Sequence, residues 1–532
     1  MTDALAQAPA AVVVDRLAHA PPERVGARAW GAFVVMVLGM YVALVNVQIV
    51  GSSFKEIQAG LGAGADQISW VLSAALIAEV IMIPLSGWLA RLLSSRWLFT
   101  FCTGGFALAT LGAANAPTIE AMIAFRALQG FSGGALMPLT LSTTYLCFPQ
   151  RLHTILVTLV ALFGTSSVAV GPTLGGWLTE ILGWRWIFWV PLPFAVMFMV
   201  GGNLLIRFDR PDRDLARHID FLGVALAGIF LGSLLYVLEE GQRSDWFDSD
   251  LIVILAVVAG LAAYLFIWRE FSIRYPVVDL RVFANRDFAI ACFYIAIFGA
   301  LLYIPIFILP LFLAEVRAID TWAIGTIVAV LGVSMVISGG IAGVMLRYMR
   351  RRTVAALGFA GLALGTWLQG FLTAEYGFSD LVLPQAIRGL ASQMCWLSLV
   401  TLAVGNLPPE QVKNGAALFN TVMRLGAAIS IAVANAMIVL RSRVHYAEIA
   451  AGVPAGHPGE SQVLPSVEAL FQALHGASPE AARAGVVVIS ELAQREALIR
   501  AYNDVTQGAA LLCAASLLLM PLMRGRAAAR RR

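Results

Sequence analysis

Apolar residues run in fourteen long stretches separated by short polar breaks, at roughly 29–50, 67–90, 96–115, 119–147, 154–179, 186–206, 221–238, 251–270, 288–314, 322–346, 353–374, 381–405, 413–440 and 505–523. Each is about the length of a bilayer-spanning helix. Two charged connections, RFDRPDRDLARHID (207–220) and RYPVVDLRVFANRD (274–287), part the stretches into six, two and six. The pattern predicts an all-α integral membrane protein with 14 transmembrane helices. Six lie in a bundle over 29–206, two are inserted over 221–270, and six form a second bundle over 288–523. Residues 1–28 and 524–532 are expected to be cytoplasmic tails, the first disordered and the second basic. Connections at 207–220 and 271–287 complete the division.

A weak internal repeat supports two related bundles. GWLARLLSSR (87–96) follows the second stretch and GVMLRYMRRR (343–352) the tenth; both open with Gly and carry Arg in the fifth and last places. Arg126 in the fourth stretch and Arg388 in the twelfth form a second match. The segment 441–505 is the one large break on the outer side, and its end, 478–505, has helical apolar spacing behind Ser478 as N-cap and Pro479. It reads either as a helix leading into the last span or as a docking surface for an extracytoplasmic partner.

Composition agrees with the membrane reading: 59% of the 532 residues are hydrophobic and 13% charged, against roughly a quarter charged in soluble domains. Most of the 36 basic residues fall in segments that are inside when the N-terminus is inside, so both termini are expected in the cytoplasm. That topology signal accounts for the net charge of +4 and leaves no nucleic-acid surface to explain. Five cysteines lie within or at the ends of stretches, without metal-ligand spacing, as small buried residues. None of the six histidines sits well inside a stretch, so no metal site is expected. With only two lysines, Lys55 and Lys413, neither in a phosphate loop, an ATP motor in this chain is excluded. GFSGG (130–134) matches a nucleophile-elbow pattern by chance, inside a spanning helix. No cofactor and no catalytic residue is expected.

Charged groups inside the bilayer cost about 2.5–3.5 kcal/mol each on insertion scales, so Glu79, Arg126, Arg388 and Arg424 are the functional candidates. Glu79 has only apolar neighbours on its helical face, and its partner must be another helix, water or a proton. A carboxyl that moves between an apolar setting and a cation takes up and releases a proton; one that does not is a packing group, permanently protonated or salt-bridged. Arg126 heads a polar stripe with Gln129 and Gly130, and an ion pair with Glu79 is open to it. Arg424 with Asn420, and Arg388 with Gln385, either line a substrate cavity or tie helices together. GPTLGG (171–176) is a helix with Pro172, small packing surfaces at Gly171 and Gly175, and Gly176 at its end as a further member of the conformational motif.

These segments resemble the major facilitator superfamily, and within it the fourteen-span drug:proton antiporters, over nearly the whole chain. RALQGFSGGALMP (126–138) is similar to the superfamily's fourth-helix motif and GPTLGG to its antiporter motif. WRWIFWVPLP (184–193), DWF (245–247) and PVVDLRVF (276–283) are similar to connecting segments. The segment 441–505 is similar to that of the permease subunit of tripartite multidrug pumps. Two positions depart from the family: Tyr41 stands where a first-helix acid is usual, with Asn46 retained, and Arg91 stands where the loop motif that starts at Gly87 has Asp. Glu79 is the residue placed to replace the missing acid.

The resemblance implies a major facilitator fold, and export of small amphipathic organic compounds against protons across a bacterial inner membrane. It further implies alternating access, with Glu79 as proton carrier, Arg126 as its modulator, and a periplasmic adaptor at 441–505. An uptake carrier or facilitator without proton coupling, and a non-transporting scaffold acting through 441–505, are the alternatives.

Overall fold

The computed structural model describes residues 25–212, 215, 218–317, 319, 321–451 and 479–520, and among them it holds helices and no strand. The N half consists of α1 (Ala27–Gly51), two short helices α2 (Phe54–Leu61) and α3 (Ala65–Ile68), α4 (Trp70–Leu93), α5 (Ser95–Ala114), α6 (Ile119–Gly134), α7 (Leu136–Cys147), α8 (Gln150–Leu182), the single turn α9 (Trp186–Trp189) and α10 (Pro191–Leu205). The inserted pair is α11 (Phe221–Glu240) and α12 (Asp250–Ser272). The C half consists of α13 (Arg286–Glu315), α14 (Thr321–Tyr348), α15 (Arg351–Gln369), α16 (Phe378–Ala403), α17 (Pro409–Ala451) and α18 (Pro479–Leu518).

Among the described residues each of the fourteen predicted stretches lies mostly on helix, and eleven helices are long and apolar enough to cross a membrane. The other three stretches coincide with α6–α7, α15 and α18. The stretch 119–147, expected as one helix, is two. Pro138 has no N–H to offer the carbonyl of Gly134, and the helix gives way at Ala135. The described residues of the segment 441–505 are helix: α17 continues to Ala451, and α18 starts at Pro479, where the apolar spacing predicts a helix. Residues 452–478 lie outside the described residues, as do Ser478, most of the tail 1–28 and all of 524–532.

Within the N half α4 packs on α6, α1 on α8, and α10 on α5. Within the C half α15 and α14 pack on α16, and α13 and α18 on α17. The halves meet where α4 and α7 cross α17 and where α8 crosses α14. The repeated glycines lie on these crossings. A Cβ at Gly87 would come within 2.9–3.0 Å of the backbone of Lys413 and Asn414, and one at Gly343 within 3.1 Å of Thr158 Oγ1. The inserted α11 lies against α4 and α17, over the seam between the halves, and α12 packs chiefly on α11. Leu251, Val257, Leu261, Tyr264 and Trp268 of α12 are exposed, the apolar surface a helix presents to lipid.

Candidate functional site: a charge pair between the halves

Glu79 sits near the middle of α4, 7% exposed. Its partner comes from the opposite half: Arg424 Nη2 on α17 donates to Glu79 Oε1 at 2.6 Å, and Arg424 Nη1 donates to the Tyr303 hydroxyl on α13 at 3.3 Å. Removing one member of so enclosed a pair leaves an uncompensated charge, at a cost of about 3–5 kcal/mol. Met40, Leu44, Ile83 and Asn420 border the same narrow crevice. The Asn420 amide itself donates to Ala416 O, one turn back on its own helix.

Arg126 does not bond to Glu79. Its fully buried guanidinium donates to Val71 O at 3.0 Å, Asn46 Oδ1 at 3.1 Å and Gln129 Oε1 at 2.6 Å, and Gln129 Nε2 donates to Thr110 Oγ1 at 2.7 Å. Arg126 Nη2 and Asn46 Nδ2 are buried donors without a partner. They border a second crevice, of which Glu79 also forms part of the wall. Glu79 therefore stands between two arginines, one from each half, and is bonded to the one in the other half.

Arg388 repeats the Arg126 arrangement without an acid. It donates to Gln369 Oε1 at 2.8 Å, Gln385 Oε1 at 2.7 Å and Leu302 O at 3.4 Å, with no exposed surface, so it ties α13, α15 and α16 together. Of the two open pairs, Arg424 and Asn420 border a crevice, whereas Arg388 and Gln385 are sealed between helices.

The remaining predicted residues are placed as follows. Tyr41 is half-buried and meets Phe163 edge-on at 5.4 Å between centroids. Gly171 and Gly175 lie so close to α1 that a Cβ would run into Gln48 or into Ser52 and Ile49, whereas Gly176 faces open space. Pro172 is accommodated within one continuous helix. The Arg91 peptide oxygen accepts from Asp212 N at 2.9 Å. Asp279, Asp212 and Glu270 are the carboxylates close enough to act on its guanidinium charge. Sequence reasoning missed Tyr303, Thr110 and Gln369, which carry no signal of their own, and missed the pairing of Lys413 with Asp209. Lys413, one of two lysines in the chain, was the available clue.

Two helical halves clasping buried charges inside a lipid-facing apolar shell define a multi-pass membrane transporter. A sequence model of the Major Facilitator Superfamily matches residues 29–431, and the chain belongs to that superfamily. It is a carrier and not an enzyme. The chain is 28% identical over 492 residues to the colistin resistance protein EmrB of Acinetobacter baumannii, covering 91% of this chain and 94% of that one. It is 30% identical over 443 residues to the multidrug export protein EmrB of Escherichia coli K12, covering 82% and 85%. It is 26% identical over 435 residues to the fatty acid resistance protein FarB of Neisseria gonorrhoeae, covering 81% and 84%. The crystal structure of the human organic anion transporter MFSD10 superposes with a TM-score of 0.55 at 13% identity, covering 91% of this chain and 99% of that one, which supports the fold.

Proposed function

We propose that the chain is a drug-efflux transporter of the bacterial inner membrane, exporting small amphipathic organic compounds in exchange for protons, with both termini in the cytoplasm. The relatives named for multidrug export and for resistance support the direction of transport. The observation that carries the coupling is the ion pair between Glu79 and Arg424, which crosses from one half to the other. While α4 and α17 are together at this depth, Arg424 is the hydrogen-bond and charge partner of Glu79. Moving the halves apart withdraws the cation and leaves a carboxylate among Met40, Leu44 and Ile83, a setting that favours the neutral acid. Glu79 then binds a proton, or turns to the free donors of Arg126 and Asn46 within its own half. Re-forming the pair expels the proton. One charge moved through about 100 mV is worth about 2.3 kcal/mol, enough to bias the cycle.

In proteoliposomes with an imposed proton gradient, Glu79→Gln should lose gradient-driven export. Undiminished export by that variant removes Glu79 as the proton carrier. The extensions of α17 and α18 toward the predicted outer side, joined by Tyr446 and Ser490 at 3.2 Å, are proposed as the seat of a periplasmic adaptor.

A further inference from the structure

The end of the molecule where α4 turns into α5 brings together charges that the motifs do not account for. Asp209, just past α10, places one carboxylate oxygen on the first turn of α5: Oδ2 accepts from Ser95 N at 2.8 Å and Ser95 Oγ at 2.7 Å. The preceding residue, Ser94, holds a positive φ of 77°, a conformation that a residue with a side chain keeps only when its neighbours impose it. The acid is thus anchored on the N half before it meets any partner.

Its partner belongs to the C half. Lys413 Nζ, in the first turns of α17, donates to Asp209 Oδ2 at 2.5 Å and to Ala90 O, near the C-terminal end of α4, at 2.9 Å. A cation there also meets the negative end of the α4 dipole. Both side chains are mostly shielded, at 11% and 17% exposure, so the pair is screened less than a surface ion pair. Next to it, Gly87 lets α4 lie directly on the Lys413–Asn414 backbone. On its other side, Asn414 Nδ2 donates to Asp279 O at 2.9 Å and Asp279 N donates to Asn414 Oδ1 at 3.2 Å. The start of α17 is thereby held by the N half and by the connection leaving the inserted helices.

We propose that Asp209 and Lys413 form the latch that closes this end of the transporter between the halves, as positioning residues for the transport cycle. Arg91, next to Ala90 on α4, cannot pair with a lysine, and the acid that meets Lys413 comes from the chain leaving α10. Opening this end must pull Lys413 away from both Asp209 and Ala90.

A native thiol reports on the latch. Cys147, at the end of α7, lies near enough to Asp209 and Lys413 for both charges to act on it, and it is the one cysteine of five that is not buried. In the full-length protein in nanodiscs, N-ethylmaleimide labelling of Cys147 is followed by mass spectrometry for wild type, Asp209→Asn, Lys413→Met and Lys413→Arg. Asp209→Asn and Lys413→Met should label faster, by about tenfold for a loss of about 1.4 kcal/mol from the closed state. Lys413→Arg, which keeps a cation between Asp209 and Ala90 O, should stay near the wild-type rate. A purely electrostatic influence on the thiol would drive Asp209→Asn and Lys413→Met in opposite directions, because one removes a negative and the other a positive charge. Unchanged rates, opposite changes, or a Lys413→Arg rate as fast as that of Lys413→Met overturn the latch. The readout needs no proton gradient, so it stands or falls apart from the role of Glu79.

Discussion

The two halves use one fixture for different ends. In the N half Arg126 donates to Gln129, which in turn donates to Thr110 of α5; in the C half Arg388 donates to Gln385 and directly to Gln369 of α15. The helices in front also come close, although Gly130 lies four residues after Arg126 and Gly389 one after Arg388. A Cβ at Gly130 would meet the carbonyl of Ala75 on α4, and one at Gly389 the carbonyl of Leu331 on α14. Ala75 and Leu331 stand the same number of residues apart as the repeated Gly87 and Gly343. Carried one turn on, that register puts Glu79 opposite Met335, which is 3% exposed. The arginine–glutamine fixture and the close glycine contacts recur between the halves, and the acid does not. The N half keeps a titratable group beside its arginine and reaches across to Arg424, while the C-half arginine is left with hydrogen bonds alone.

The largest effects should separate the two arginines. Arg388→Met strands the acceptors of Gln369, Gln385 and Leu302. At about 0.6 kcal/mol for a typical hydrogen bond between membrane helices, three such losses amount to about 2 kcal/mol. The expected result is a lower melting temperature in detergent with export per folded molecule unchanged. Arg126→Met should cost similar stability and also reduce export per folded molecule, on the order of tenfold or more, a barrier change of about 1.4 kcal/mol or greater. Equal transport losses in the two variants, after correction for folded protein, would erase the distinction.

The crossing glycines give a smaller and graded contrast. Gly87→Ala presses a methyl against backbone, which has no side-chain freedom to yield, so the closed contact of α4 with α17 must open by several tenths of an ångström. Gly343→Ala presses at 3.1 Å on the Thr158 hydroxyl, a side-chain atom bonded to Thr154 O that has to give by only a few tenths of an ångström. Export should fall clearly in the first and little in the second. If Gly343→Ala is the more damaging, the α8–α14 crossing is the tighter gate and the asymmetry runs the other way.

How far the sequence foretold this depends on whether a feature is local. Hydrophobic run length and charged breaks are local, and the fourteen stretches fell mostly on helix. The break at Ala135 was also legible in Pro138, but a continuous apolar run concealed it. The Arg126–Arg388 and Gly87–Gly343 matches fall at similar helix contacts in the two halves, as a duplicated bundle would place them. Pairing across the halves was not legible. Glu79 and Arg424 lie 345 residues apart, and nothing in either helix chooses Arg424 over Arg126. Asp209 was read only as part of a charged connection, since its meeting with Lys413 exists only once the halves are packed.

The smallest effect concerns the end of the C half where α17 runs on to Ala451. There Asp504 of α18 accepts from Arg441 Nε at 2.6 Å and lies 2.8 Å from His445 Nε2, both on α17. Burial alone would raise the Asp504 carboxyl, but the hydrogen bonds and charges of His445 and Arg441 outweigh it and hold the group below its ordinary range. A carboxyl whose pKa is lower in the folded protein stabilises it fully above the ordinary value, near 4. The contribution drains away as pH falls through the lower folded value. Asp504→Asn removes the tie at neutral pH. The variant should melt slightly earlier at pH 7, and the gap from wild type should close as both are acidified below about pH 4. Export in adaptor-free vesicles should be unaffected, whereas co-purification of a periplasmic adaptor should weaken. A gap that persists at low pH would show that the substitution acts on packing rather than on charge, and unchanged co-purification would move the adaptor's seat away from this end of α17 and α18.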